Sequence, residues 1–291
     1  MELLRKPEWI RLKAPSGHNY TNVKQTLRSL ELHTVCEEAR CPNLSECWGM
    51  GTATIMIMGK TCSRGCRFCS VNSGKPGLLL DSKEPENVAI AIREWQLRYV
   101  VLTSVCRDDL KDGGANHIAK TIRAIHAKCP KTIVEALVPD FRGNEESIDK
   151  VVRANPRVIS HNIETVARLS PSVRDFRASY DQSLMVLQKI RNLNTAIYTK
   201  SSLMLGLGET EQEVIKTMKD LRSKGVSIIT MGQYLQPSSR HLPVVQYVTP
   251  ERFDWFANVA RQIGFSYVAS GPMVRSSYKA GKFFLQMNND R

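Results

Sequence analysis

The sequence lacks long hydrophobic segments, internal repeats and stretches of low complexity. Its longest apolar runs, such as Ala53–Met58, have the length of a β-strand, well below the roughly 18 residues that a membrane helix needs. The first residues, MELLRKPEWIRLK, contain acidic residues and no apolar core, so they predict neither a secretory signal nor a transit peptide. We therefore expect a cytoplasmic protein that does not bind a membrane.

Acidic residues are fewer than basic residues. The 291 residues include 28 Asp and Glu against 41 Lys and Arg, which gives a net charge of +13. This excess suits an acidic partner, whether a nucleic acid, an anionic cofactor or an acidic protein, and does not choose among them. The hydrophobic share of 42% is ordinary for a globular protein with a sizeable core.

Cysteine is present in an uneven distribution. Six of the eight cysteines lie between Cys36 and Cys69. Clustered thiols in a reducing compartment are typical of metal or redox sites rather than disulfides. They form two sets of three, which we name the upstream set (Cys36, Cys41 and Cys47) and the loop set (Cys62, Cys66 and Cys69).

Short apolar segments alternate with amphipathic ones along most of the chain. The segments that predict strands are Thr52–Gly59, Tyr99–Val105, Thr132–Asp140, Arg157–Glu164, Ala196–Gly206 and Ile228–Leu235. Helices are predicted at Glu86–Leu97, Gly114–Lys128, Glu145–Arg153, Ser179–Arg191, Glu211–Lys224 and Pro250–Gly264. Six strand-then-helix units predict an α/β fold of parallel strands, either an open doubly wound sheet or a partial barrel.

The loop set has the spacing C-x3-C-x2-C and begins just after the first predicted strand. Three thiolates on one tight loop can hold three corners of a cubic iron–sulfur cluster, and the fourth iron is then open to a small molecule. The alternative is structural zinc, which prefers four closed ligands, often as two C-x2-C pairs. Only one such pair is present here.

The upstream set, Cys36-x4-Cys41-x5-Cys47, also has three cysteines and no fourth. It too can hold an iron–sulfur cluster. A zinc site with three cysteines and His33 is the alternative, because zinc binds thiolate and neutral imidazole well.

The loop set, with Phe68 before its last cysteine, resembles the signature of the radical S-adenosylmethionine superfamily. The upstream set and its surroundings resemble the auxiliary-cluster motif of the lipoyl synthases, a family of sulfur-inserting enzymes in that superfamily. Further segments similar to lipoyl synthases are Thr103–Ala115, His161–Thr165, Lys200–Thr210, Gly232–Pro237, Arg240–Pro243 and Gly271–Tyr278.

The resemblance implies a partial (β/α)6 barrel of parallel strands over residues 52–270. It also implies an N-terminal extension, 1–51, that carries the upstream set, and a C-terminal extension, 271–291, with the Arg275-Ser-Ser-Tyr278 motif. The implied cofactors are two [4Fe–4S] clusters and S-adenosylmethionine. In such enzymes the loop-set cluster splits S-adenosylmethionine into methionine and a 5′-deoxyadenosyl radical. That radical removes hydrogen from C6 and C8 of a protein-bound octanoyl-lysine, and the auxiliary cluster donates the sulfur.

The resemblance assigns catalytic roles to the loop set and to Ser277, which would be the fourth ligand of the auxiliary cluster, with Ser276 as the alternative. Among cofactor contacts, Asn162 and Glu164 are candidates for the ribose hydroxyls of S-adenosylmethionine or, alternatively, for a capping pair at a strand end. The remaining candidates are Gly206 and Gly208 for close approach to the adenine, and Arg177 for the methionine carboxylate. Three positions depart from the usual family residues, namely Cys106, Lys111 and Ser202.

The implied partners are acidic octanoylated lipoyl carrier domains, of 2-oxoacid dehydrogenase acyltransferase subunits and the glycine-cleavage carrier protein, and a ferredoxin or flavodoxin as electron donor. No nucleic acid is expected. Two other interpretations remain: a radical methylthiotransferase acting on RNA, although no RNA-binding domain is found, and a zinc-stabilised nucleic-acid-binding protein. The latter predicts stoichiometric zinc and salt-sensitive nucleic-acid affinity.

Overall fold

The computed structural model describes residues 5–10, 18–50, 53–76, 79–278 and 280–281. These residues divide into two compact units. The first unit comprises residues 18–50, 53–64, 71–76, 79–159, 277–278 and 280–281, and the second comprises 5–10, 65–70 and 160–276. The division falls inside the loop set, directly after Arg64.

The first unit holds the upstream set, five strands of the main sheet and a separate pair of short parallel strands. Its strands are β1 (His33–Thr34), β2 (Ile55–Ile57), β3 (Thr61–Cys62), β4 (Asn72–Ser73), β5 (Tyr99–Ser104), β6 (Ile133–Leu137) and β7 (Val158–Ser160), the last of which ends on the first residue of the second unit. Its helices are α1 (His18–Ser29), α2 (Val35–Glu38), α3 (Leu44–Gly49), α4 (Glu84–Glu94), α5 (Ala115–Lys128) and α6 (Glu145–Val152), with a 3-10 turn at Phe141–Gly143.

The strand order in the first unit is β1-β2-β5-β6-β7. Strands β2, β5 and β6 are parallel, with Leu102 opposite both Ile55 and Ala136, whereas β1 runs antiparallel to β2. Parallel strands must be joined by crossovers, and α4 and α5 supply them here. Both helices present an apolar face, which in α5 is the row Ile118, Ile122 and Ile125, all buried.

The second unit continues the same alternation. Its elements are α7 (Ser170–Val173), α8 (Tyr180–Leu193), β8 (Tyr198–Leu205), α9 (Glu211–Ser223), β9 (Ile228–Gln233), α10 (Pro250–Ile263) and β10 (Tyr267–Gly271). The three strands are parallel, in the order β8-β9-β10. Leu187 of α8, Met218 of α9 and Phe253 of α10 belong to one buried cluster with Leu203 and Ile229 of the strands.

Helix starts in the second unit follow ordinary capping chemistry. Thr210 and Glu213 form a complete capping box at the start of α9. Thr249 caps α10, Pro250 is its first residue, and Gly264 ends it with a left-handed φ of 98°. These signals are local in the sequence, which explains why the predicted helix limits agree with the structure.

All six predicted strands and all six predicted helices are present, with limits that differ by a few residues. Elements that were not predicted are β10, which pairs with β9, the helices α1, α2, α3 and α7, and the two-residue strands β1, β3 and β4. The fold is mixed α/β with a mostly parallel sheet that does not close, as predicted. No described helix combines the length and apolarity that crossing a membrane requires.

The predicted division at residues 51 and 270 stays a prediction, and the compact units follow other limits. Of the predicted extensions, residues 1–4, 11–17, 51, 279 and 282–291 lie outside the described residues, as does Thr52 at the start of the first predicted strand.

Candidate iron–sulfur and S-adenosylmethionine sites

Cys62, the first member of the loop set, ends β3 in the first unit. Its sulfur accepts hydrogen bonds from the backbone N–H groups of Arg64 and Cys106, each at 3.4 Å. The thiol of Cys106 also donates to it, and this bond is the main reason why the pKa of Cys62 lies well below its ordinary value despite burial. The pair therefore keeps its proton on Cys106, and Cys62 is held as a thiolate, the form that binds metal.

Arg64, which follows Cys62 in the loop, belongs to a buried network of ion pairs. Its guanidinium donates to both carboxylate oxygens of Asp140, at 2.6 and 2.7 Å, and to both oxygens of Asp108, at 2.9 Å each. Ser63 donates to Asp108 at 2.6 Å. Burial opposes the charge of Asp108, but the bonds from Arg64 and Ser63 outweigh it and hold the pKa of Asp108 well below its usual range.

Sequence reasoning missed this network. Asp108 follows β5 and Asp140 follows β6, so both lie beyond the carboxyl ends of parallel strands, where site residues of such sheets are expected. That placement is the signal that could have identified them as partners for Arg64.

Cys66 and Cys69, the other members of the loop set, belong to the second unit. The N–H of Asp175 donates to the sulfur of Cys66 at 3.3 Å, and the Asp175 carboxylate accepts from the N–H of Gly65 at 2.8 Å. A ring nitrogen of His241 lies 3.0 Å from the carbonyl oxygen of Cys69. These bonds fix the backbone of the loop, and N–H groups aimed at cysteine sulfurs are typical of iron–sulfur sites.

The upstream set lies in a different environment within the first unit. Cys36 of α2 is 4% exposed, and the N–H of Cys41 donates to its carbonyl oxygen at 3.0 Å. Burial, with a contribution from the neighbouring Cys41, raises the pKa of Cys36 to about 12. The indole N–H of Trp48 is buried without a fully formed hydrogen bond and acts on Cys36 as a weak donor.

The Arg-Ser-Ser-Tyr segment places its two serines differently. The hydroxyl of Tyr278 donates to Glu46 at 3.1 Å, and Glu46 directly precedes Cys47 of the upstream set. Within the second unit, the hydroxyl of Ser276 donates to the side-chain oxygen of Asn162 at 3.1 Å. Ser277 lies between these two residues in the sequence, and its role as a ligand at the upstream set stays a prediction.

The donor sets fit iron–sulfur clusters by their chemistry. Each set offers three cysteines free of disulfides, and in the loop set the sulfurs of Cys62 and Cys66 accept backbone N–H groups. His33, the proposed fourth zinc ligand, pairs with Glu38 at 3.7 Å. The buried indole N–H of Trp48 offers a donor to a cluster at the upstream set.

Asn162 and Glu164, predicted to contact the ribose, follow β7 in the second unit. The Asn162 amide donates to the Glu164 carboxylate at 3.1 Å. Burial raises the pKa of Glu164, and the charge of Arg174 and the bond from Asn162 offset this in part. Glu164 also has a left-handed φ of 66°, a strained conformation that is enriched at functional sites.

The other three cofactor candidates gain less from the structure and stay predictions. The guanidinium of Arg177 already makes a bidentate pair with Asp175, at 2.7 and 3.0 Å. A Cβ at Gly206 would collide with Gln233 and Gln246, so this glycine is required for packing within the chain. At Gly208 a Cβ would meet only Val245, at ordinary contact distance.

The comparisons with known proteins agree with the cysteine motifs. The family model of the Radical SAM superfamily matches residues 56–221, and the N-terminal domain of lipoyl synthase of that superfamily matches residues 1–41. The mitochondrial lipoyl synthase of Rattus norvegicus is 55% identical over 98% of this chain and 78% of that protein. The apicoplast lipoyl synthase of Plasmodium vivax is 54% identical over 97% of this chain and 64% of that protein.

The predicted cytoplasmic location is wrong. The relatives from Rattus norvegicus, Plasmodium vivax and Aedes aegypti are named as mitochondrial or apicoplast lipoyl synthases, and these organellar locations contradict the cytoplasmic assignment. The prediction rested on the composition of the first residues, which did not identify the compartment.

Solved structures of low sequence identity share the fold. The FeFe-hydrogenase maturase HydG from Carboxydothermus hydrogenoformans matches with a TM-score of 0.54 and 12% identity, over 93% of this chain and 78% of that one. This likeness supports the partial barrel, whereas the identity of about 55% supports the narrower assignment. The chain belongs to the lipoyl synthase family of the radical S-adenosylmethionine superfamily.

Proposed function

We propose that the loop set holds the [4Fe–4S] cluster that binds S-adenosylmethionine, and that the upstream set with Ser277 holds a second, auxiliary [4Fe–4S] cluster. The chain is an enzyme, a radical sulfurtransferase that inserts sulfur at C6 and C8 of a protein-bound octanoyl-lysine. Its cofactors are [4Fe–4S] clusters and S-adenosylmethionine. The observation that carries the ligand assignment is the presence of two separate cysteine triads, in a chain 55% identical to a lipoyl synthase.

Radical chemistry is required because the two carbons carry unactivated C–H bonds, which no acid or base in the chain can deprotonate at neutral pH. When bound, the loop-set cluster would supply an electron to S-adenosylmethionine, and the auxiliary cluster would supply sulfur to the substrate. Within the chain, Cys62 offers a thiolate that is ready for iron. Arg64, tied to Asp108 and Asp140, keeps the loop that carries Cys62 in one conformation.

Ser277 supplies the least durable ligand in this assignment. A serine alkoxide is a hard oxygen donor among soft thiolates, so its bond to iron is the weakest of the four. Release of Ser277 would open the auxiliary site and expose sulfide, as a sulfur donor requires. The bond between Tyr278 and Glu46 keeps the serine's neighbour in place beside α3.

We assign the ribose contacts of S-adenosylmethionine to Asn162 and Glu164. Their side chains are joined by one hydrogen bond, and Ser276 donates to the Asn162 oxygen. That bond orients the amide so that its NH2 group faces Glu164. A carboxylate and an amide so arranged offer both acceptors and donors to a vicinal diol.

Lipoyl carrier domains are the substrates. We propose acidic carriers, those of 2-oxoacid dehydrogenase acyltransferase subunits and the glycine-cleavage carrier protein, because a net charge of +13 attracts acidic proteins. A ferredoxin or flavodoxin is proposed as the electron donor.

Anaerobic reconstitution with iron and sulfide tests the two-cluster assignment. We expect about eight iron and eight acid-labile sulfide atoms per chain, the sum for two [4Fe–4S] clusters. The Cys62→Ala and Cys41→Ala variants should each retain about half of both. A chain that binds zinc and no sulfide would refute the assignment.

A further inference from the structure

An exposed aromatic side chain lies beside the loop set in the second unit. Phe176 is 88% exposed, which is unusual for a residue of its size, and it directly follows Asp175. The N–H of Asp175 donates to the sulfur of Cys66 at 3.3 Å. The ring of Phe176 is therefore separated from a proposed cluster ligand by a single residue and one hydrogen bond.

Arg67 extends this surface. It is an exposed residue between Cys66 and Phe68, and its N–H donates to the carbonyl oxygen of Val173 at 2.9 Å. Its guanidinium donates to the carbonyl oxygen of Ser172 at 3.2 Å. Both bonds hold Arg67 against α7, the helix that leads into Asp175 and Phe176.

Arg240 adds a second cation. The segment that follows it is tied to the same loop, because the N–H of Leu242 donates to the carbonyl oxygen of Arg67 at 3.2 Å. Arg240 itself is exposed. Within the described ranges, no carboxylate forms an ion pair with Arg67 or Arg240. We name Phe176, Arg67 and Arg240 the donor surface.

We propose that the donor surface is the docking site for an acidic one-electron donor protein. The inference rests on the proposed function, since it assumes that the loop set holds the cluster to be reduced. In the step itself the donor's reduced centre loses one electron and the cluster gains it, and no covalent bond forms or breaks at the surface.

Two physical arguments favour this occupant. An electron crosses a protein interface efficiently only where the two centres come close. Arg67 lies in the loop that carries Cys66 and Cys69, and the residues that bond to this loop, Asp175 and Leu242, are near Phe176 and Arg240 in the sequence. An exposed aromatic residue accompanied by arginines is also the usual composition of a binding hot spot, and unpaired cations steer an acidic partner.

The test compares two reductants on the reconstituted holoenzyme. Cleavage of S-adenosylmethionine is measured with a reduced acidic ferredoxin and, separately, with dithionite, in Phe176→Ala and Arg240→Glu. We expect kcat/KM for ferredoxin to fall about tenfold in each variant, the size of effect seen at interface hot spots. The dithionite-driven rate and the iron content should remain unchanged. The ferredoxin-driven rate of the unmodified enzyme should fall with added salt, and less so for Arg240→Glu.

Leu193→Ala and Arg261→Glu are matched controls. Leu193 ends α8 and is 37% exposed, and Arg261 lies in the last turn of α10 and is exposed. Both helix ends precede parallel strands, so they lie at the opposite edge of the sheet from Arg240, which follows β9. Neither control should change the ferredoxin-driven rate.

Three outcomes would overturn the proposal. They are an unchanged ferredoxin-driven rate in both variants, an equal loss with both reductants, and a raised KM for the octanoylated carrier with dithionite as reductant. The last would show that the surface binds the carrier instead. Failure of the proposed function looks different, because the unmodified enzyme would then not cleave S-adenosylmethionine with dithionite.

Discussion

Cys62 of the loop set and Cys36 of the upstream set lie in opposite surroundings. The sulfur of Cys62 receives two backbone N–H groups and a thiol donor, which stabilise its negative charge. Cys36 is nearly inaccessible and its pKa is raised to about 12, so its sulfur is a neutral thiol until a metal displaces the proton. One site is prepared for metal by hydrogen bonds, and the other depends on the metal for its own charge.

This difference matches the proposed roles. A cluster that must survive many electron transfers benefits from ligands that stay ionised and hydrogen-bonded. A cluster that gives up its sulfur benefits from ligands whose thiolate form is costly once iron leaves, because protonation of Cys36 then favours release. The contrast between Cys62 and Cys36 is therefore consistent with the proposed permanent and expendable centres.

The largest effects on product formation are expected when one cysteine is removed from each set. Cys66→Ala should reduce formation of 5′-deoxyadenosine to background, because the cluster at the loop set would lose a ligand. Cys41→Ala should still form 5′-deoxyadenosine and yield no lipoyl product. Both products are measured in one assay by mass spectrometry. Retained cleavage in Cys66→Ala, or normal lipoyl product from Cys41→Ala, would reverse the assignment.

The next largest effect concerns the support of the loop set. Arg64→Met should destabilise the apo protein by about 3–5 kcal/mol, because it leaves the buried carboxylate of Asp140 without its cation and Asp108 with only the exposed Arg142. Arg142→Met is the control: Arg142 also contacts Asp108 but is 62% exposed, so its removal should cost less than about 1 kcal/mol. Urea unfolding measures both.

The same variant has a defined pH dependence. The pKa of Asp108 is lowered in the folded state, so its contribution to the free energy of unfolding is present above the unfolded pKa of about 3.9 and is lost as the pH falls. The difference between unmodified protein and Arg64→Met should therefore shrink when unfolding is repeated near pH 3. A constant difference would show that Asp108 is not held ionised by Arg64.

Alkylation of the apo protein should reveal the contrast in thiol ionisation. At pH 7 iodoacetamide should label Cys62 at least about tenfold faster than Cys36, since the thiolate is the nucleophile. Cys106→Ala removes the main donor to Cys62, so it should raise the pKa of Cys62 and slow its labelling severalfold. Peptide mapping distinguishes the sites, and the partly exposed Cys129 is an internal reference. Equal rates at Cys62 and Cys36 would contradict the different surroundings described here.

The smallest effect is expected at the edge of the upstream set. Tyr278→Phe removes one hydrogen bond to Glu46, worth about 1 kcal/mol. The auxiliary cluster should then lose iron to a chelator about fivefold faster, while the loop-set cluster is unaffected. Ser276→Ala is the control, because Ser276 bonds to Asn162 instead. A larger effect in Ser276→Ala would transfer the ligand role from Ser277 to Ser276.

Much of the fold was predictable because its signals are local. The apolar run of β5 and the 3- and 4-residue spacing of Ile118, Ile122 and Ile125 in α5 are visible in the sequence alone. β10 was missed because Tyr267–Gly271 is short and only half buried, and its pairing with β9 is a contact between distant segments.

The metal chemistry of the site was predictable from the sequence, and the close contacts within it were not. The two cysteine spacings identified the metal chemistry, since ligand type and spacing are written directly in the chain. Gly206 could not be interpreted from the sequence. A glycine at this position suggested close approach of the backbone to the adenine, but Gln233 and Gln246 of this chain occupy the space. Only coordinates distinguish a ligand from a neighbouring side chain there.

The spacing of six cysteines therefore indicates the class of chemistry, and the apolar pattern of the sequence predicts the alternation of strands and helices. The tertiary structure decided how those cysteines behave. Cys62 meets Cys106 across 44 residues, and Arg64 meets Asp140 across 76. Ionisation and burial depend on such distant neighbours, because charge is stabilised by whatever lies within a few ångströms in space, and sequence separation does not measure that distance.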